Sequence, residues 1–249
     1  MTNPSPLRIE DRGTHVLATL DRPEKRNAID QELVDALHAL CAELEHEPKT
    51  LVLRGEGGTF AAGADIAQLR ERRAADARAG INTRAFQRIG ALPMPVIAVL
   101  DGYALGGGAE LAYAADIRVG TPSLKIGNPE TGLGIIAAAG ATWRLRELVG
   151  EPIAAEILLA GRVLDADESL AAGLITHLLP DHGAALEQAE KIAGRIAKLD
   201  PAATQASKRA LREPRDAHPE IDLAEQAILF ESPEKIRRMT EFLERKKSK

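Results

Sequence analysis

Apolar and polar positions alternate over residues 7–11 and 14–20, on either side of Arg12-Gly13, and this period of two predicts a β-hairpin near the start of the chain. The period then changes. Leu33, Val34, Leu37, Leu40, Cys41 and Leu44 recur at three- and four-residue intervals within residues 31–45, the stripe of a helix with one face against a core. Short apolar runs at 50–54 and 96–100 predict core strands, 117–119 and 124–126 two more, and 174–179 a last one. Residues 67–90 read as helical, with Ile81, Phe86 and Ile89 as apolar anchors. From Gly183 onward the pattern is helical, and Pro201, Pro214, Pro219 and Pro233 mark helix starts or turns. Strands alternating with helices at uneven spacing make the fold class α/β.

One stretch carries most of the chemical signal. In PVIAVLDGYALGGGAELAYAAD, residues 95–116, a buried strand turns through Asp101-Gly102 and reaches Gly106, Gly107 and Gly108 at the start of a helix expected over 109–115. The first N–H groups of a helix have no intrahelical partner and lie at the positive end of its dipole, so they suit an oxygen that gains negative charge during a reaction. Glu110 falls in the first turn, placed to act as an acid or a base. Residues 55–66, GEGGTFAAGADI, repeat the arrangement of strand, glycine loop and helix start, so that two backbone segments present N–H groups to one site. A second carboxylate, Glu130, follows Asn128-Pro129 and adjoins the apolar, glycine-rich segment 131–142, which has the character of a cavity lining.

Composition removes several alternatives. Hydrophobic residues make up 45% of the 249, and aromatics only 3%, so the core is aliphatic and the class is ordinary globular. A net charge of −5 gives no basic footprint for nucleic acid or an anionic membrane. Cys41 is the single cysteine; it forms no internal disulfide and fits a reducing compartment. Residues 1–13 carry no apolar signal region, and no run approaches the roughly 18 apolar residues of a membrane span, so a cytoplasmic location is expected. The glycines do not form GxGxxG, no GK[ST] follows them, and GxSxG, HExxH and paired cysteines are missing. The six histidines show no metal-ligand spacing, and no metal site is expected.

FAAGADI at 60–66, PVIAVLDGYALGGGAEL at 95–111 and NPETGLG at 128–134, together with RPEKRNAI at 22–29, resemble the enoyl-CoA hydratase/isomerase, or crotonase, superfamily over nearly the whole chain. The resemblance implies a spiral of repeated ββα units over residues 1–195 with an acyl-CoA site. It also implies a helical C-terminal region, 196–249, used for assembly as a homotrimer or a dimer of trimers. It gives the backbone N–H groups of Ala64 and Gly107 as an oxyanion hole for the thioester carbonyl, with Glu110 as base and Glu130 as acid in hydration of a trans-2-enoyl-CoA. It places Ala62, Asp65, Ile66, Ala138 and Trp143 against the substrate, and Phe242 and Arg245 on its adenine side. Coenzyme A is part of the substrate, and no metal or redox cofactor is implied. Where related hydratases read IPGAGGTQRL, this chain reads IAAAGATWRL at 136–145, so extra methyls and the Trp143 indole are expected to narrow or tilt the acyl pocket. The glutamate pair favours hydration. Alternatives are a Δ3,Δ2-enoyl-CoA isomerase working with one glutamate, and a non-enzymatic acyl-CoA-binding or RNA-binding homologue. From their settings in the sequence, burial is expected to raise the pKa of Glu130 more than that of Glu110.

Overall fold

A computed structural model describes residues 5–247. The opening hairpin, β1 (Leu7–Asp11) and β2 (His15–Leu20), is antiparallel, as the alternation predicts. After it comes α1 (Gln31–His46), whose Asp30 side chain accepts from the Leu33 N–H as an N-cap. The six apolar residues of the predicted α1 stripe are all buried. Next are β3 (Thr50–Gly55) and three short helices, α2 (Ile66–Glu71), α3 (Ala74–Ala79) and α4 (Ile81–Gly90). The expected single helix over 67–90 is thus broken twice, at Arg72, which is extended, and at Gly80, which has a φ of 65°.

The centre of the chain alternates between two sheets. β4 (Val96–Leu100), β6 (Ile117–Gly120) and β9 (His177–Leu178) join the first three strands in a six-stranded sheet of order β1-β2-β3-β4-β6-β9, parallel beyond the hairpin. β5 (Tyr103–Leu105), β7 (Lys125–Gly127) and β8 (Val163–Asp165) form a smaller sheet of order β5-β7-β8. Each of the pairs β4–β5 and β6–β7 therefore gives one strand to each sheet before its helices follow, and a parallel bridge from Ala61 to Ala104 continues the pattern back into the turn after β3. This is the expected winding of ββα units. The helices are α5 (Gly107–Ala114), α6 (Arg146–Val149), α7 (Glu151–Ala160), α8 (Ala166–Ala171) and α9 (His182–Ile196). A 3₁₀ turn at Pro129–Leu133 and a π-helical turn at Ala141–Leu145 precede α6.

Two sequence expectations need correction. Residues 103–105 form a strand rather than a turn, and the strand expected at 174–179 contracts to two residues. Residues 163–165 form a strand that leads into the Asp165 cap of α8. Inner parallel strands are covered on both faces, and every residue of β2 and β4 is buried. The core they share with α1 also holds Phe60, Phe86 and Tyr113.

The chain divides into two compact units, one through Gly194 and one from Arg195. The second contains α10 (Pro201–Arg212), α11 (Glu220–Phe230) and α12 (Pro233–Lys247). Leu223, Ile228, Phe230, Ile236, Met239 and Leu243 are exposed on α11 and α12. Among the described residues no helix is long and apolar enough to cross a membrane.

Candidate active site

α5 starts from a backbone that only glycine adopts readily. Gly106 has a φ of 52°, and a Cβ there would stand 3.1 Å from Glu130 Oε1. Two residues on, a Cβ at Gly108 would lie 2.1 Å from the Ala61 carbonyl oxygen; the helix and the turn after β3 meet backbone to backbone. That close approach brings the segment containing Ala64 against the start of α5. Ala64 is fixed from the other side by Ile29, whose N–H donates to Gly63 at 2.8 Å and whose carbonyl accepts from the Asp65 N–H at 2.9 Å. This ladder uses the groups on either side of Ala64 and leaves its own N–H free. Gly107, as the first helical residue, likewise has an N–H without an intrahelical acceptor.

Glu110 is 4% exposed. Its Oε1 accepts two backbone N–H groups from the π-helical region, Ala139 at 2.6 Å and Ala141 at 3.2 Å. Gly140 between them has a φ of 146°, which turns both amides toward the carboxylate. Burial raises the pKa of Glu110, the two N–H groups oppose that rise, and the Glu130 charge adds to it; the outcome is about 7. Glu130 is 8% exposed and its pKa is also raised, first by burial and against a side-chain hydrogen bond from Asn128. Burial thus raises both carboxyls, and the repulsion between them adds to the rise.

Glu130 is held by a buried chain of partners. The Tyr113 hydroxyl donates to Asn128 Oδ1 at 3.0 Å, which orients the amide so that its Nδ2 donates to Glu130 Oε1 at 3.3 Å. Glu130 Oε2 is buried and makes no hydrogen bond. A carboxyl with one oxygen accepting a bond and the other bare has a defined place for a proton, on Oε2. Burial drives the Tyr113 pKa up, so the phenol stays a donor.

Ala64, Gly107, Glu110, Glu130 and Ala138 all line a cavity of about 470 Å³. Ala139 lines it too; of the two alanines that stand where related hydratases have glycine, Ala138 reaches the pocket wall and Ala141 is outside the lining. Trp143 is not among the lining residues, and its indole is 40% exposed. Ala62, Asp65 and Ile66 are also outside the lining. The Ala62 N–H donates to Arg26, and the Asp65 carboxylate caps α2 by accepting from Ala67 and Gln68. Phe242 and Arg245 belong to α12 of the second unit, where Phe242 is exposed. Asn128, Tyr113, Asn82 and Arg72 were missed in the sequence. Asn128 has a signal in its place within NPE, whereas Tyr113 and Asn82 stand among ordinary helix residues and Arg72 in a charged run between two helices.

An α/β spiral that sets two unpaired backbone N–H groups beside two buried carboxyls defines a site for acid–base chemistry on a polarised oxygen. The sequence matches the enoyl-CoA hydratase/isomerase family over residues 11–249, and the chain belongs to that family. It is 34% identical to the short-chain-enoyl-CoA hydratase of Clostridium acetobutylicum, across 90% of this chain and 85% of that protein. It is also 34% identical to the crotonyl-CoA hydratase of Syntrophomonas wolfei, across 92% and 91%. The crystal structure of an enoyl-CoA hydratase from Thermoplasma volcanium superposes with a TM-score of 0.87 at 35% identity, covering 96% of this chain and 97% of that one.

Proposed function

We propose that this chain is an enoyl-CoA hydratase that adds water to a trans-2-enoyl-CoA and yields a 3-hydroxyacyl-CoA. The observation that carries the reading is the shared cavity of Glu110, Glu130 and the free N–H groups of Ala64 and Gly107. A thioester oxygen received by those N–H groups draws electron density from C3 and stabilises an enolate-like transition state. Glu110, ionised, takes a proton from water as the water oxygen bonds to C3; Glu130 delivers the Oε2 proton to C2. Proton return from Glu110 to Glu130 restores the starting state. The bonding around the carboxyls supports this division, since Glu110 Oε1 accepts two N–H donors, which favours its anion, and Glu130 Oε2 is bare.

Incubation with crotonyl-CoA tests the reading: loss of the conjugated-thioester absorbance with formation of 3-hydroxybutyryl-CoA is expected. Turnover of a 3-enoyl-CoA to its 2-enoyl isomer, without hydration of crotonyl-CoA, would replace it by an isomerase. We assign Ala62, Asp65 and Ile66, beside the donor Ala64, to the path of the coenzyme A arm, and Phe242 and Arg245 to its adenine end. The exposed apolar residues of α11 and α12 support assembly as a trimer or a dimer of trimers, because such surface is seldom left to water. Sedimentation as a monomer at micromolar concentration would contradict that assembly.

A further inference from the structure

Asn82 stands half-buried on α4, in the cavity wall. Its Oδ1 accepts from Arg72 Nη1 at 3.2 Å. A guanidinium has only donors, so the atom facing Arg72 is the amide oxygen, and the orientation of the amide follows. Nδ2 is thereby turned toward Gly107. A Cβ built on Gly107 would stand 3.5 Å from Asn82 Nδ2 and 3.6 Å from Ala64 N, so the side-chain amide and the two backbone donors face one small volume. Among the described residues Nδ2 donates to no acceptor and Arg72 forms no ion pair.

We propose that Asn82 is a third donor to the thioester carbonyl oxygen and that Arg72 is the positioning residue that holds its amide. The proposal rests on the reading that Ala64 and Gly107 receive that oxygen. A donor fixed before the reaction needs no reorganisation as charge develops, and it is worth most in a site shielded from water. Arg72 adds to this in two ways. Its hydrogen bond fixes the amide plane, and a cation donating to Oδ1 polarises the amide so that its N–H becomes a stronger donor. Asn82 thus contributes to catalysis by direct contact with the reacting oxygen, and Arg72 acts only through Asn82.

The test measures kcat and KM on crotonyl-CoA together with the absorption of bound 2,4-hexadienoyl-CoA, whose conjugated carbonyl absorbs further to the red when its oxygen accepts stronger hydrogen bonds. Asn82→Leu should lower kcat on the order of 10²-fold, as loss of one oxyanion donor does elsewhere, while KM changes little and the red shift shrinks. Asn82→Asp, which keeps the size but loses the donor, should lose at least as much. Arg72→Met should move kcat and the red shift in the same direction by a smaller factor, and Arg72→Lys, which retains a donor for Oδ1, should recover most of both. Folded Asn82 variants with wild-type kcat, or with reduced kcat and an undiminished red shift, would overturn the proposal while the hydratase reading stands. A wild-type protein that neither hydrates crotonyl-CoA nor shifts the probe would overturn the underlying reading as well.

Discussion

Two segments of this chain run through the same local motif and are held by different means. The turn after β3 leads through Ala64 to α2, and the turn after β5 leads through Gly106 to α5. α2 has six residues and none is buried; α5 has eight and all are. The Ala64 N–H is positioned by the paired bonds of its neighbours to Ile29, with α2 contributing little beyond a cap. The Gly107 N–H is positioned by the helix it begins, and the same helix carries Glu110 and Tyr113. One side of the site therefore offers a donor alone. The other combines a donor, a carboxylate and the hydroxyl that orients Asn128 beside the second carboxylate. Similar glycine loops define where free N–H groups occur, and burial of the helix that follows decides whether they come with reactive groups.

The sharpest way to break this comparison is to remove the carboxylates that one side supplies or orients. Glu110→Gln and Glu130→Gln should each lower kcat on crotonyl-CoA by about 10²- to 10⁴-fold, with the affinity for 3-hydroxybutyryl-CoA nearly kept. Near wild-type hydration by either variant would refute the two-carboxylate mechanism, and an isomerase would tolerate one of the two substitutions on a 3-enoyl-CoA. Gly107→Pro tests the donor on the same helix. Proline is accepted at the first helical position, so the fold is expected to survive while kcat falls by about 10²- to 10³-fold. A folded variant that retains activity would remove that N–H from the mechanism.

The pH dependence sharpens the contrast further. Glu110 acts as the ionised form of a group whose pKa burial raises to about 7, so the rate should rise with pH through that value. The residual rate of Glu130→Gln should keep this acid limb, because Glu110 is still present, and a rate that does not change with pH there would remove Glu110 as the base. The smallest effect belongs to the α2 side. Asp65→Ala deletes a cap worth about 1 kcal/mol, which should speed hydrogen exchange of the Leu69 amide, bonded to the Asp65 carbonyl, by roughly fivefold. The α5 amides should exchange as before, and a matching change there would mean that the two sides share one cooperative unit.

The sequence by itself determined the elements long enough to show a period. The hairpin, α1, the inner strands and the glycine-led α5 follow from patterns of two and of three to four residues, and the spaced motifs placed both glutamates and both donor loops. Tertiary structure decided what depends on residues far apart in the chain. β5 and β8 have three residues each, too few to display a period, and exist because β7 pairs with both. Ala64 is held across 35 residues by Ile29, and Glu110 is bonded by amides 29 and 31 residues away. The raised pKa values of the two carboxyls, the exposure of the Trp143 indole and the facing of Asn82 toward Gly107 have the same origin. Local pattern specifies which face of an element is apolar, but burial, repulsion and hydrogen-bond geometry are set only when distant segments pack together.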